Sequence, residues 1–338
     1  MNKTVISAQN ISIGYSGTSY RRGVCLYDNL SFVLNAGELT CLLGPNGAGK
    51  STLLRTLSAM QFPLSGEVYL HKKPLSEYSE NDLSCELGVV LTDTTSVGGL
   101  TVSQLVALGR YPYTGFFGRL SGYDRSVVNK VMEDVGIAHK AKSYMAELSD
   151  GERQKAMIAK ALAQECPIIL LDEPTAFLDI ISRIEIMELL HHLAFTQNKT
   201  VLLSTHDIES ALLFADRLWL LSKEKGLECG VTEDILLGES MDFFLSRNNI
   251  TFDRKTGSFV PVQTFSRSVF LTAERDLFHW AKNFLRRNNL GITAEKDKSD
   301  FSLTVLSKDK LILQKDSVET EIISFAQLYK WLNDNELF

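Results

Sequence analysis

The sequence predicts an α/β domain built on a parallel sheet, followed by a smaller α+β unit. Three observations predict it. Apolar runs of strand length alternate with segments of helical periodicity up to roughly residue 262. A glycine-rich turn at 44–51 joins one such run directly to a helix. Near residue 264 the alternation gives way to short strands around two amphipathic segments. A chain of 338 residues suits about two domains. At 44 % hydrophobic and 22 % charged, it has an ordinary globular balance with enough to build a core.

The elements follow in order. Residues 5–15 alternate apolar and polar, and 30–34 and 39–43 are rich in strand formers. Between the first two lies a Gly/Ser/Arg segment, 16–23, expected to be an exposed loop. Further strands are predicted at 67–70, 87–91, 168–172, 200–204 and 217–221, and a helix starts near Lys50. The stretch from about 100 to 165 is mostly helical, interrupted by a loop from Arg110 to Gly118. Residues 250–262 read as a hairpin turning at 253–257. Beyond it come a strand at 268–271 and a helix at 273–287, with Leu277, Trp280, Ala281, Phe284 and Leu285 at helical spacing. Two strands follow, 301–306 and 310–314, then a helix opened by a capping box from Ser324 to Gln327. A unit of this size is marginal alone, so it is expected to lean on the first domain. Trp280 and Trp331 read as core, and no chemical motif lies in it.

Composition narrows the function. Thirty-five Lys plus Arg against 41 Asp plus Glu leaves −6, which argues against nucleic acid as a partner held by bulk charge. No apolar run approaches the ~20 residues of a membrane span, and the first residues do not resemble a signal peptide, so a cytoplasmic protein is expected. Five scattered cysteines without a Cys-x-x-Cys pair exclude a zinc ribbon and read as reduced, packed thiols.

The chemistry begins at Gly44, Pro45, Asn46, Gly47, Ala48, Gly49, Lys50 and Ser51, a phosphate-binding loop between strand and helix. Glycines let the backbone amides close on phosphates, and the helix N-terminus adds about half a positive charge. Lys50 reaches the β- and γ-phosphates, and Ser51 offers its hydroxyl to Mg²⁺. The apolar run 168–171 ends in Asp172 and Glu173. Asp172 is placed to hold Mg²⁺ through water, and Glu173 to orient or deprotonate the attacking water. Leu148, Ser149, Asp150, Gly151, Glu152 and Arg153 open a helix. Ser149 and Glu152 form a capping-box pattern, and a serine beside the Gly151 amide also makes an anion site. His206 follows a second strand of the same sheet, where it can meet a γ-phosphate.

Together these residues resemble the ATP-binding subunit of ABC transporters over about the first 262 residues. The resemblance implies a P-loop NTPase fold: a RecA-like core, an antiparallel β subdomain and a helical signature subdomain spanning 1–263. Residues 264–338 then form a small accessory α+β domain. It implies a head-to-tail homodimer in which the phosphate loop of one chain, with Thr52 behind it, faces Ser149, Asp150, Gly151, Glu152 and Asp179 of the other across ATP. It also implies Asp172 for Mg²⁺, Glu173 as general base, His206 as switch histidine and Leu178-Asp179 as the loop linking the two sites. Tyr15 matches the aromatic that stacks on adenine, with Tyr20 and Tyr27 as alternatives.

Three departures stand out. Asp150 and Glu152 replace the glycine and glutamine usual in the signature, while its serine and second glycine remain. After the strand at 87–91 the family has a glutamine; here Thr92, with Asp93, is expected to serve Mg²⁺ at longer range. The C-terminal addition is absent from the family's shortest members. The segment from Ala107 to Tyr113 is similar to that of importers of iron-siderophore complexes, haem and cobalamin. The resemblance thus implies an ATP-hydrolysing importer subunit on the inner face of the cell membrane, working with permease subunits and indirectly a substrate-binding protein. The alternatives are another ABC transporter class, a metal-ion importer or an exporter, or a non-transport ABC ATPase. A single phosphate loop and the short interval to Ser149 argue against the translation and DNA-repair types.

Overall fold

The computed structural model describes residues 3–17, 23–91, 99–115, 117–176, 178–238, 240–241, 250–254, 257–316 and 318–335. The chain divides into two compact units, Met1–Val260 and Pro261–Phe338.

The first unit is organised by a six-stranded sheet. Its order runs Gly226–Val231, Arg217–Ser222, Leu39–Leu43, Thr200–Thr205, Ile168–Asp172, Leu87–Val90. All neighbours are parallel except the first pair. Every residue of Leu39–Leu43, Ile168–Asp172 and Thr200–Thr205 is buried. The reason is that both faces are covered, which is why these strands read as unbroken apolar runs. On one face Leu39, Cys41, Leu43, Ile169, Leu171, Val201 and Leu203 pack with the helices of the 100–200 region. On the other, Leu42, Leu170, Leu202 and Trp219 pack with Leu53, Leu54 and Leu57 of the helix Lys50–Leu57. That second core also holds Ile6, Ile11, Ile13 and Leu34 from a four-stranded antiparallel sheet.

Several elements differ from the sequence expectation. The second strand is Val24–Asn35, twelve residues long and paired with Thr4–Tyr15. Register shifts along this pair break the alternation that would have announced it. Gly226–Val231 joins the main sheet although its two glycines depress strand propensity. The segment expected as a loop from Arg110 to Gly118 instead begins inside a 3-10 helix, Leu108–Tyr113, that turns Arg110 inward. Gly109 permits this: a Cβ there would stand 2.2 Å from the Lys160 carbonyl. Arg110 is only 2 % exposed. It donates to Asp124 at 2.9 Å, to the Ala163 carbonyl at 2.7 Å and to Glu165 at 2.7 Å, and stacks under Tyr113.

The second unit is a five-stranded mixed sheet ordered Leu290–Thr293, Arg267–Ala273, Phe301–Ser307, Lys310–Lys315, Val318–Ile322. Helices Arg275–Arg287 and Phe325–Asp334 contribute Phe284, Leu285, Leu328 and Leu332 to its core. Two of the strands, Leu290–Thr293 and Val318–Ile322, carry no sequence signal long enough to read alone. Trp331 packs against this core, with its ring 5.8 Å from Phe301, but Trp280 is exposed rather than buried. At Ser324 the capping box is half formed. Its hydroxyl accepts from the Gln327 amide, while the Gln327 side chain reaches past it to the Ile323 amide.

Candidate functional site

Parallel strands bring their C-terminal ends to one edge of the sheet, the usual ligand edge of an α/β fold. Register makes the neighbours explicit: Leu43 pairs with Thr205, and Asp172 with Ser204. The phosphate-loop residues, the two carboxylates and His206 each follow directly from one of these ends.

Gly47 and Gly49 take φ of 74° and 94°, turning the chain sharply into Lys50–Leu57. No side chain caps that helix, so its first amides face the loop. Lys50 is 5 % exposed and donates to the Gly44 carbonyl at 2.9 Å and the Pro45 carbonyl at 3.4 Å. Its Nζ lies 3.4 Å from His206 Nε2 and 3.9 Å from Glu173 Oε1. Burial lowers its pKa below the ordinary lysine value, against the opposing pull of Glu173 and Asp172. A buried ammonium at a helix N-terminus is a receptor for an anion.

Asp172 is buried at the strand end and Glu173 follows with φ of 50°, in the left-handed region. Ser204 holds both. Its hydroxyl donates to Asp172 Oδ1 at 2.6 Å and accepts from the Glu173 amide at 2.9 Å. Glu173 Oε1 in turn lies 2.5 Å from His206 Nε2. Sequence reasoning missed Ser204, because its role depends on the register between two strands. Glu173 and His206 line an open cavity of about 220 Å³ with Thr175, Ala176, Arg183, Thr205 and Asp207.

The residues the sequence singled out fall into two groups. Lys50, Glu173 and His206 come together, with Asp172 beside them. Tyr15 stands at the end of its strand, 49 % exposed, and its hydroxyl is 3.1 Å from Thr52 Oγ1. Tyr27 is buried, which removes it as an alternative for stacking. The second group is built around Ser149 and Asp179. Ser149 and Glu152 form a reciprocal capping box on the helix Asp150–Ala163, and Glu152 also pairs with Lys140 at 3.1 Å. These bonds hold the Glu152 carboxyl below the usual range, the Ser149 amide foremost. A Cβ built on Gly151 would lie 3.5 Å from Leu178 and 3.8 Å from Ser182, so this helix start abuts the next. Asp179 caps the helix Ile180–Gln197 by accepting from Ser182. Thr92, Asp93 and Tyr20 lie outside the described residues.

The donor set at the sheet edge suits a hard divalent cation. The Asp172 carboxylate and Ser51 hydroxyl are oxygen ligands of the kind Mg²⁺ takes beside phosphates. Among the described residues no cluster of three or more His, Cys, Asp or Glu could hold a metal unaided.

Comparison with known proteins adds to the geometry. The model of the ABC transporter family matches residues 27–176. An uncharacterized ABC transporter ATP-binding protein of Methanocaldococcus jannaschii is 37 % identical over 255 residues, 75 % of this chain and 86 % of its own length. The ferric enterobactin transport ATP-binding protein of Escherichia coli is 39 % identical over 215 residues, 64 % of this chain and 79 % of its own. A dimeric ATP-binding cassette solved in a post-hydrolysis state with ADP and Pi matches with a TM-score of 0.60 and 28 % identity. That match covers 67 % of this chain and 98 % of the cassette.

Proposed function

The chain belongs to the ABC transporter ATP-binding proteins and is an ATPase, and from that premise we propose that it powers uptake of an iron-siderophore complex, haem or cobalamin through a separate membrane permease. The observation that carries the hydrolytic part is the gathering of Lys50, Glu173 and His206 at one sheet edge. The cargo class rests on the ferric enterobactin relative and on the segment from Ala107 to Tyr113.

In this reading the amides of residues 44–49 and Lys50 hold the β- and γ-phosphates of ATP, and Tyr15 stacks on adenine. Ser51 and Asp172 hold Mg²⁺, which when bound neutralises charge on the phosphate oxygens. Lys50 exchanges its carbonyl partners for phosphate, a stronger, charge-assisted bond. Glu173 takes the proton of the attacking water, and His206 Nε2 steadies that carboxylate and the γ-phosphate beyond it. Ser204 keeps Asp172 and the Glu173 backbone in one rigid frame.

Ser149, Asp150, Gly151, Glu152 and Asp179 act on the ATP of a second copy. Their grouping around two adjoining helix starts supports a head-to-tail homodimer, as does the similarity to a dimeric cassette. Exposed Leu108, Tyr111, Tyr113 and Tyr123 surround the buried Arg110 and offer the permease an aromatic face. No helix among the described residues is long and apolar enough to cross a membrane. In this reading the permease holds the chain at the inner face, and a substrate-binding protein delivers the cargo.

The test uses Glu173→Gln, which binds ATP but stalls with the dimer closed. Tagged and expressed in its native host, then solubilised from membranes, it should bring down one polytopic permease identifiable by mass spectrometry. Recovery of ribosomes, or of no membrane protein, would end the importer reading.

A further inference from the structure

Arg183 lies outside every motif the sequence singled out, yet it joins two of them. Its Nη1 donates to Asp207 Oδ2 at 3.1 Å and its Nη2 to the Leu178 carbonyl at 3.2 Å. Leu178 immediately precedes Asp179, and Asp207 immediately follows His206. One planar guanidinium therefore spans the starts of the helices Ile180–Gln197 and Ile208–Phe214.

Neither helix start needs it. Asp179 caps the first by accepting from the Ser182 amide and hydroxyl. Asp207 caps the second by accepting from the Ser210 amide and hydroxyl. What Arg183 adds is a fixed distance between the two. Arg183 and Asp207 line the same cavity as Glu173 and His206, so the bridge forms part of the wall around the hydrolytic pair.

We propose that Arg183 is a positioning residue, tying the His206–Asp207 turn to Leu178 and so holding His206 against Glu173. The proposal rests on the reading of Glu173 and His206 as the hydrolytic pair. The chemistry requires arginine. A guanidinium presents two parallel donors in a rigid fork, whereas an ammonium is a point charge on a flexible stem. The side chains of Arg183 and Asp207 are 33 % and 16 % exposed. A partly solvated pair of this kind contributes little to stability, so its loss should be read in catalysis instead.

The experiment measures ATP hydrolysis, ATP affinity and Tm on the full chain. The variants are Arg183→Gln, Arg183→Lys, Asp207→Asn, the Gln/Asn double variant and Glu173→Gln. Arg183→Gln should lower kcat roughly 10–100-fold with KM and Tm close to wild type. Asp207→Asn keeps the helix cap and should lose a similar factor, with the double variant no worse than either single one. Arg183→Lys should recover part of the rate, since it reaches Asp207 but cannot fork to Leu178. A kcat within about twofold of wild type in Arg183→Gln would overturn the proposal. So would a joint fall of kcat and Tm without recovery by lysine, which marks a structural clamp. If Glu173→Gln hydrolyses ATP at the wild-type rate, the hydrolytic reading fails and takes this proposal with it. If Glu173→Gln is inactive while Arg183→Gln turns over normally, only the tether fails.

Discussion

Glu173 Oε1 and His206 Nε2 stand 2.5 Å apart, on residues 33 positions distant in sequence that follow two neighbouring strands. Lys50 completes the cluster from a third strand end. A carboxylate, an imidazole and an ammonium thus meet at one edge of the sheet, the edge proposed to receive a phosphate.

Replacing Glu173 with glutamine keeps the shape and removes the proposed base. Hydrolysis should fall by about 10²–10⁴. Nucleotide affinity should stay within a small factor of wild type. Single-turnover release of phosphate, set beside equilibrium ATP binding, separates the two quantities.

Ser204→Ala removes the hydroxyl shared by Asp172 and the Glu173 amide. Because the serine is fully buried, water cannot replace it. Unfolding in urea should show a loss of about 1–3 kcal/mol, as for a buried polar group left unpaired. Steady-state kcat should also fall by about tenfold, since the frame holding both carboxylates loosens. A full rate with reduced stability would confine Ser204 to a structural role.

The Arg110–Asp124 pair gives a pH signature. Ser121's hydroxyl and amide, and then Arg110, hold the Asp124 carboxyl down at about 2 against an ordinary value of 3.8. A carboxylate with a depressed folded pKa contributes stability above its unfolded value and loses it as pH falls through the folded one. The stability gap between wild type and Asp124→Asn should therefore be level above about pH 4 and close as pH falls toward 2. Its plateau should be about 1.5–3 kcal/mol, typical of a hydrogen bond to a charged group. Urea titrations at stepped pH read both features.

Gly109→Ala tests the turn that sends Arg110 inward. A new methyl would meet the Lys160 carbonyl at 2.2 Å and the Ala163 methyl at 2.9 Å, neither of which is a flexible tip. The helical region should lose about 1–3 kcal/mol, the usual cost of overpacking. Thermal unfolding would register it, while ATP affinity should hold, because the proposed phosphate loop at 44–51 belongs to other elements.

Much of the candidate site was legible in the sequence because its carriers are local. Residues 44–51 are contiguous, and the strands Leu39–Leu43 and Ile168–Asp172 begin and end where the apolar runs do. Burial on both sheet faces makes such runs unmistakable. What the sequence hid is what register and folding bring together. Ser204 matters because it lies opposite Asp172, and Arg183 because two distant turns converge on it. Of Val24–Asn35 only 30–34 was legible, and the part before it was hidden for the opposite reason, since bulges erase the period a strand is known by. The Arg110 segment misled because Pro112 suggests a loop, though a 3-10 turn accommodates it.

The backbone of Glu173 carries a different consequence. At φ of 50° it occupies a region that suits glycine and strains a residue with a Cβ. A chain selected only to resist heat would exchange this glutamate for glycine and gain on the order of 1 kcal/mol. With Glu173 as the proposed base, the result would be a sturdier protein that binds ATP and turns it over slowly. At this position durability and turnover draw on the same residue, and a library screened for melting temperature alone should let the glycine variant through.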